Sequence, residues 1–319
     1  MNILVTGTAG FVGHTTAKVL LERGDTVIGV DNFNDYYDVS LKEDRNRELE
    51  KYPNFKLYRV DISNLEDLKK VFEENDIDRV CHLAAQAGVR YSIDNPYVYA
   101  DSNMVGFVNM INLTKEKGVK HFIYASSSSV YGDTSKIPFV ETEDVNSPIS
   151  LYAASKRSNE LIAYTYHHLF KLNTIGLRFF TVYGPWGRPD MAIFKFANQM
   201  VKGEEIPVFN YGKDMKRDFT YIDDIVDGVV RAIDCEYENE IFNLGKGSPD
   251  ELGEMISLIE KHMGIKAKKK LLPMQPGDVL ITYSNTNKAK KMLGYDPKIT
   301  LDEGIEKFVE WYKKYYNVE

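Results

Sequence analysis

The chain has 319 residues, 43% hydrophobic and 27% charged, which excludes disordered, collagen-like and disulfide-scaffold classes and leaves one large domain or two merged ones. Its 40 Lys and Arg against 47 Asp and Glu give a net charge of −7, without the basic footprint of a nucleic-acid binder, so no nucleic-acid partner is expected. No run of about 20 apolar residues occurs, and no membrane partner is expected either.

The opening stretch, residues 1–21, is mostly apolar but has no basic leader and carries three glycines, so it reads as folded protein. Cys81 and Cys235 cannot build a disulfide framework, which fits a reducing cytoplasm. His14, His82, His121, His167, His168 and His262 show no ligand spacing, and no metal site is expected.

In chain order, a strand at Ile3–Thr6 runs into Gly7, Gly10, Phe11, Val12 and Gly13, and helical spacing starts at Val12 and continues to Arg23. Strand, Gly-x-x-Gly-x-x-Gly and helix in that order predict a dinucleotide site. The glycines allow a tight turn and close backbone approach to a pyrophosphate, and the helix start offers free N–H groups to it. The second strand, Thr26–Val30, ends at Asp31, whose carboxylate would accept both ribose hydroxyls of an adenosine. Asn32 follows and Arg45 is far along the chain, so nothing adjacent would welcome a 2′-phosphate, and NAD is expected over NADP. A third strand, Lys56–Val60, ends at Asp61 and Ile62, where a carboxylate could meet the adenine amino group or simply close a turn.

A helix over Asn64–Glu74, a strand at Arg79–Leu83, a long helix from Pro96 to Lys117, a strand at Phe122–Ser126, a helix over Tyr152–Phe170 and a strand at Thr174–Phe179 follow. The alternation predicts an α/β fold, a doubly wound parallel, Rossmann-like sheet over residues 1–180. Residues 181–319 are looser, with helical patterns at Ile193–Lys202, Asp223–Ile233, Glu251–Met263 and Leu301–Tyr315, and read as a smaller α/β substrate-binding lobe. Part of 218–245 is expected to return to the first domain.

Tyr152 and Lys156 lie one turn apart on a helix face, so both heads can reach one point, where a cation would bring a phenol into range as a base. Tyr52 and Lys56 repeat the spacing, but Pro53 takes Tyr52 out of a helix. The run Ser126 to Ser129 closes an apolar strand at the sheet's carboxyl edge, where ligands of such sheets bind. Hydroxyl donor, phenolate and lysine are what reversible alcohol oxidation by a nicotinamide requires.

At these residues the sequence resembles the extended short-chain dehydrogenase/reductase superfamily, its nucleotide-sugar epimerases and dehydratases. The strings Asp31 to Tyr37, Leu83 to Arg90, Leu177 to Asp190 and Gln275 to Val279 resemble UDP-glucuronate 4-epimerases. The resemblance implies a homodimer through helices near Met104 and Tyr164, a UDP-sugar substrate and bound NAD, which Ala84 helps to hold. It implies Tyr152 as base, Lys156 on the nicotinamide ribose, Ser127 beside the reacting oxygen, Arg217 on the UDP diphosphate and Asp278 on the uridine ribose. Ser128 and Ser129 stand where dehydratases and decarboxylases of the group place an acid, and Thr181 stands where UDP-galactose 4-epimerases carry asparagine. Ser127, Ser128, Thr181 and Arg188 would then surround a C6 carboxylate. The expected activity is C4 epimerisation of a UDP-hexuronic acid. The alternatives are a UDP-glucose/UDP-galactose 4-epimerase, a UDP-glucuronate decarboxylase, and, in a different class, a non-catalytic NAD(H)-sensing module.

Overall fold

Short apolar runs bounded by turns become strands almost at their expected spans. In the computed structural model, which describes residues 1–134, 136–274 and 279–319, β1 (Asn2–Thr6), β2 (Thr26–Asp31), β3 (Phe55–Arg59), β4 (Arg79–His82), β5 (His121–Ser127) and β6 (Asn173–Phe179) alternate with helices. These are α1 (Phe11–Glu22), α2 (Val39–Leu49), α3 (Leu65–Glu74), α4 (Tyr91–Asp94), α5 (Pro96–Tyr99), α6 (Gly106–Lys117) and α7 (Leu151–Phe170). The rest of the chain adds β7 (Thr181–Tyr183), α8 (Ala192–Val201), β8 (Glu205–Val208), β9 (Lys216–Arg217), β10 (Phe219–Tyr221), α9 (Ile222–Asp234) and β11 (Asn239–Leu244). After them come β12 (Asp250–Glu251), α10 (Leu252–Met263), β13 (Lys268–Leu271), β14 (Ile281–Thr282), α11 (Asn287–Leu293) and α12 (Leu301–Tyr316).

Seven strands form one parallel sheet in the order β11-β6-β5-β4-β1-β2-β3. Alternate residues face opposite layers: Ile3 and Val5 pack with α1 and α9, while Leu4 packs with α3 and α6. The chain leaves β1 towards β2 and returns to β4 on the other side, so a crevice opens between their carboxyl ends. A separate core of Phe194, Met255, Ile256, Ile305 and Phe308 holds α8, α10 and α12 together beside that crevice.

Among the elements that depart from the sequence reading, three bear on the site's scaffold. The seventh strand, β11, carries Asn239, Glu240 and Asn243 among its six residues and is buried only in its second half, which hides an edge strand from an apolar-run criterion. Helix α2 lacks an apolar stripe because its inward face is polar, with Lys42, Arg45 and Asn46 buried beside Leu41 and Leu49. The expected helix from Pro96 to Lys117 is broken into α5, a π-helical segment at Ala100–Val105, and α6. Asn103 is buried within that wider turn, and a Cβ on Gly106 would meet the Ile62 side chain at 2.7 Å.

Candidate active site

The carboxyl ends of β1, β2, β4, β5 and β6 and the start of β7 open onto one cleft of about 560 Å³. Gly7, Gly10, Phe11, Val12 and Gly13 form its floor. Gly7 has φ +79, and a Cβ on Gly13 would lie 2.0 Å from the Gly7 carbonyl oxygen, so no side chain fits where helix meets turn. Gly10 caps α1 without a side-chain bond, which leaves first-turn N–H groups to face an anion. At one end the Asp31 carboxylate accepts the Ala9 N–H (3.0 Å) and the Phe33 N–H (2.8 Å), bonds that pull its pKa down against the larger upward push of burial. The cradle and the aimed carboxylate fit a dinucleotide.

Two expectations about this end change. Fold brings Arg45 and Lys42 within electrostatic reach of Asp31 despite their distance in sequence. Neither offers an open cation: Arg45 is fully buried and donates to Ala9 O, Tyr37 Oη, Trp186 O and Gly187 O, and the Lys42 ammonium donates to Asn34 O and Oδ1, both at 2.6 Å. Asn32, Ile62 and Ala84 line the cleft; Asp61 does not. Its carboxylate accepts Asn32 Nδ2 (2.7 Å), the Ser63 N–H (2.8 Å) and the Ser63 hydroxyl (2.6 Å), so it closes the turn after β3. Ala84 is placed by its N–H bond to Thr6 Oγ1 (3.0 Å), a hydroxyl that also meets His82 Nδ1 at 2.8 Å.

Ser127, Ser128, Tyr152 and Lys156 meet at the other end. The Ser150 hydroxyl caps α7 through the Ala153 N–H (3.1 Å), which starts the helix one residue before Tyr152 and puts Lys156 on the same face. Burial raises the Tyr152 phenol, while the neighbouring Ser127 hydroxyl and the charge of Arg188 hold it down. Lys156 was expected to supply that charge. In the structure its ammonium donates to Ala125 O at 2.9 Å and burial lowers it to about 8, while Arg188 adds a second positive charge that lowers the phenol.

Thr181, Arg188 and Arg217 line the same wall; Asp278 lies outside the described residues. Arg217 donates through Nη1 to Lys216 O and Leu280 O, both at 2.9 Å. Arg188 is held in a fork by Asp190, with Nε on Oδ1 (3.0 Å) and Nη2 on Oδ2 (2.6 Å).

Sequence reasoning missed the supports beneath these groups. Glu160, buried one turn after Lys156, accepts the Ser126 hydroxyl (2.7 Å) and two bonds from the buried Arg178 (2.8 and 2.9 Å), tying α7 to β5 and β6 directly under Ser127. Its position four residues past Lys156 on the inward face was the available signal. Asn103 fixes the loop after β4 through the Gln86 N–H (2.8 Å) and carbonyl (3.0 Å).

A family model described as GDP-mannose 4,6 dehydratase matches residues 4–308. A UDP-glucuronate 4-epimerase of Thermodesulfobacterium geofontis is 46% identical over 317 residues, 99% of this chain and 97% of that protein. The crystal structure of a UDP-glucuronic acid 4-epimerase from Bacillus cereus with UDP-glucuronic acid and NAD superposes with a TM-score of 0.91 at 35% identity, covering 99% of this chain and 100% of that one. A UDP-glucose 4-epimerase of Thermotoga maritima with UDP-glucose gives 0.90 at 34% identity, with the same coverage. With a family model matched over nearly its whole length and relatives this similar, the chain belongs to the GDP-mannose 4,6 dehydratase family, among the nucleotide-sugar epimerases of the extended short-chain dehydrogenases/reductases.

Proposed function

We propose that the protein is a UDP-glucuronate 4-epimerase that interconverts UDP-glucuronate and UDP-galacturonate with bound NAD. The observation that carries this reading is one cleft in which the Tyr152 phenol, beside Ser127, shares a wall with Thr181 and Arg188. When bound, NAD supplies the hydride acceptor and donor for the C4 carbon. Gly10 to Gly13 and Asp31 hold its pyrophosphate and adenosine ribose, and Lys156 meets the ribose next to the nicotinamide. Tyr152 Oη takes the C4 hydroxyl proton and later returns it, while the Ser127 hydroxyl donates to the same oxygen. The lobe beyond Thr181 holds the UDP moiety through Arg217, and Ser127, Ser128, Thr181 and Arg188 meet the C6 carboxylate. Loss of either Tyr152 or Lys156 would suit a cofactor-sensing module; both are in place.

No helix among the described residues is long and apolar enough to cross a membrane, and the reading places the enzyme in the cytoplasm. It also makes the enzyme a homodimer: Val105, Val108, Leu161 and Tyr164 expose 40 to 59% of their surface on the α6 and α7 side, an apolar face that a second copy would cover.

The test is turnover of UDP-glucuronate and UDP-glucose by the purified protein and by Tyr152→Phe. We expect the acidic sugar to be preferred and the variant to lose roughly 100-fold or more in kcat, the usual worth of a general base. Retention of more than about a tenth of the activity would remove Tyr152 from the role. Preference for UDP-glucose would move the substrate to a neutral hexose.

A further inference from the structure

We propose that Asp190, held in turn by Tyr36, is the positioning residue that aims Arg188 at an acidic substituent of the sugar and so sets the preference for acidic over neutral UDP-sugars. The inference rests on the proposed function and adds to it residues that touch neither the reacting carbon nor the diphosphate.

The backbone around Arg188 is already fixed. Gly184, with φ +144, packs where a Cβ would lie 2.6 Å from Ile222; the Gly187 N–H bonds Gly184 O (3.1 Å); and the Met191 N–H bonds Arg188 O (3.1 Å). Arg45 grips the Trp186 and Gly187 carbonyls from behind, at 2.6 and 3.0 Å. What remains free is the Arg188 side chain, a long stem with about 2 kcal/mol of rotamer entropy. Asp190 removes that freedom by taking Nε and Nη2 in a two-point fork, which fixes the plane of the guanidinium as well as its distance.

Asp190 is itself aimed. The Tyr36 hydroxyl donates to Asp190 Oδ2 at 3.2 Å, and the Tyr36 ring lies 5.9 Å from the Arg188 guanidinium. Tyr36 is pinned by the Tyr91 ring, 4.7 Å away, and by Gly88, where a Cβ would stand 3.0 Å from its hydroxyl. Loops leaving β2, β4 and β7 therefore converge on the orientation of one guanidinium.

The fork uses two of five guanidinium N–H groups and leaves three for a ligand. It also neutralises the cation, so a neutral sugar gains little from Arg188, whereas a carboxylate can take the free edge in bonds whose geometry Asp190 has set. Losing the fork should fall mainly on the acidic sugar, in KM, with any change transmitted to Tyr152 shared by both sugars.

The experiment measures kcat and KM for UDP-glucuronate and UDP-glucose with the NAD-loaded wild type, Asp190→Asn, Asp190→Glu and Tyr36→Phe, with cofactor content and melting temperature recorded for each. Asp190→Asn should lose about 10- to 100-fold in kcat/KM for UDP-glucuronate, the worth of a charge-assisted hydrogen bond, mainly through KM. Its kcat/KM for UDP-glucose should fall far less, so that the ratio between the two sugars moves by about tenfold. Asp190→Glu should recover part of the loss, and Tyr36→Phe should show the same bias on a smaller scale. Equal losses on both sugars would make Asp190 structural, and an unchanged ratio would overturn the proposal alone. A wild type with no preference for the acidic sugar would fail the functional reading, and the proposal would fall with it.

Discussion

Lys156 exposes a conflict between folding and chemistry that can be measured. Its side chain is 4% exposed, its ammonium donates to the Ala125 carbonyl, and burial brings it from 10.5 down to about 8. Because the folded value lies below the unfolded one, the unfolded chain binds the extra proton. The penalty is therefore full below about pH 8 and fades as pH rises towards 10.5. At about 1.4 kcal/mol per tenfold change in proton affinity, the folded state loses ~3 kcal/mol at pH 7 and under ~1 kcal/mol at pH 10. Lys156→Met keeps the stem and removes the charge. In cofactor-stripped protein it should raise the unfolding free energy by ~2–3 kcal/mol at pH 7, a gain that shrinks below ~1 kcal/mol at pH 10, while turnover in the reloaded enzyme is lost. Urea unfolding of both proteins at the two pH values reads the gain directly. A variant no more stable than the wild type at pH 7, or a gain independent of pH, would refute the account of Lys156 as a cation held at a cost for catalysis.

Other outcomes follow from the same geometry. Isothermal titration of the stripped protein should give NAD at least about tenfold tighter than NADP, since the carboxylate of Asp31 faces a 2′-phosphate and the nearby cations Lys42, Arg45 and Arg59 are already engaged; tighter NADP would overturn that. Arg217→Ala should weaken binding of UDP itself by about 10- to 100-fold, and unchanged affinity would remove Arg217 from the diphosphate site. Glu160→Gln should destabilise the fold by about 3–5 kcal/mol, because the buried Arg178 keeps its charge and loses its partner; a loss under about 1 kcal/mol in urea unfolding would show that the pair contributes little.

What the sequence made legible was whatever repeats at a period or sits at a strand end. The six strands of the first half, α1, α7 and the order strand–glycine turn–helix all follow from apolar alternation and from the glycines a close approach requires. Helix α2 did not, because its buried face is Lys42, Arg45 and Asn46 rather than leucines, and burial of such groups is visible only once their acceptors are known. The candidate site divides the same way. Tyr152, Lys156 and Ser127 announce themselves by spacing and strand-end position, and they do share one cleft with Thr181, Arg188 and Arg217. Asp190 and Tyr36 stand inside strings that had been noticed, but their pairing joins residues 154 positions apart and has no local signature. Asp61 stands at the expected edge, and its bonds to Ser63 and Asn32 show the turn closure that the sequence reading had set beside an adenine contact.

An epimerase acting on a uronic acid must also avoid a reaction its own chemistry invites. Oxidation at C4 puts a ketone β to the C6 carboxylate, and such an acid loses CO₂ through an enolate when the carboxylate C–C bond aligns with the carbonyl π-system. A carboxylic acid beside the departing carboxylate would speed the loss, and positions 128 and 129 hold none. The carboxylic residues lining the cleft among those described are Asp31, at the glycine-cradle end, and Asp190, locked on Arg188, while serines occupy positions 128 and 129. The remaining control is orientation: hydroxyls of Ser127, Ser128 and Thr181 with the Arg188 guanidinium would hold the carboxylate off that alignment. The wild type should therefore convert UDP-glucuronate mainly to UDP-galacturonate with at most a trace of UDP-pentose. Thr181→Ala and Arg188→Ala should leak more pentose even as they slow, because each loosens the carboxylate without adding an acid. Mass spectrometry of the product mixture at matched conversion separates the outcomes. Mainly pentose from the wild type would make the protein a decarboxylase, and unchanged pentose fractions in both variants would show that the carboxylate's orientation does not govern the partition.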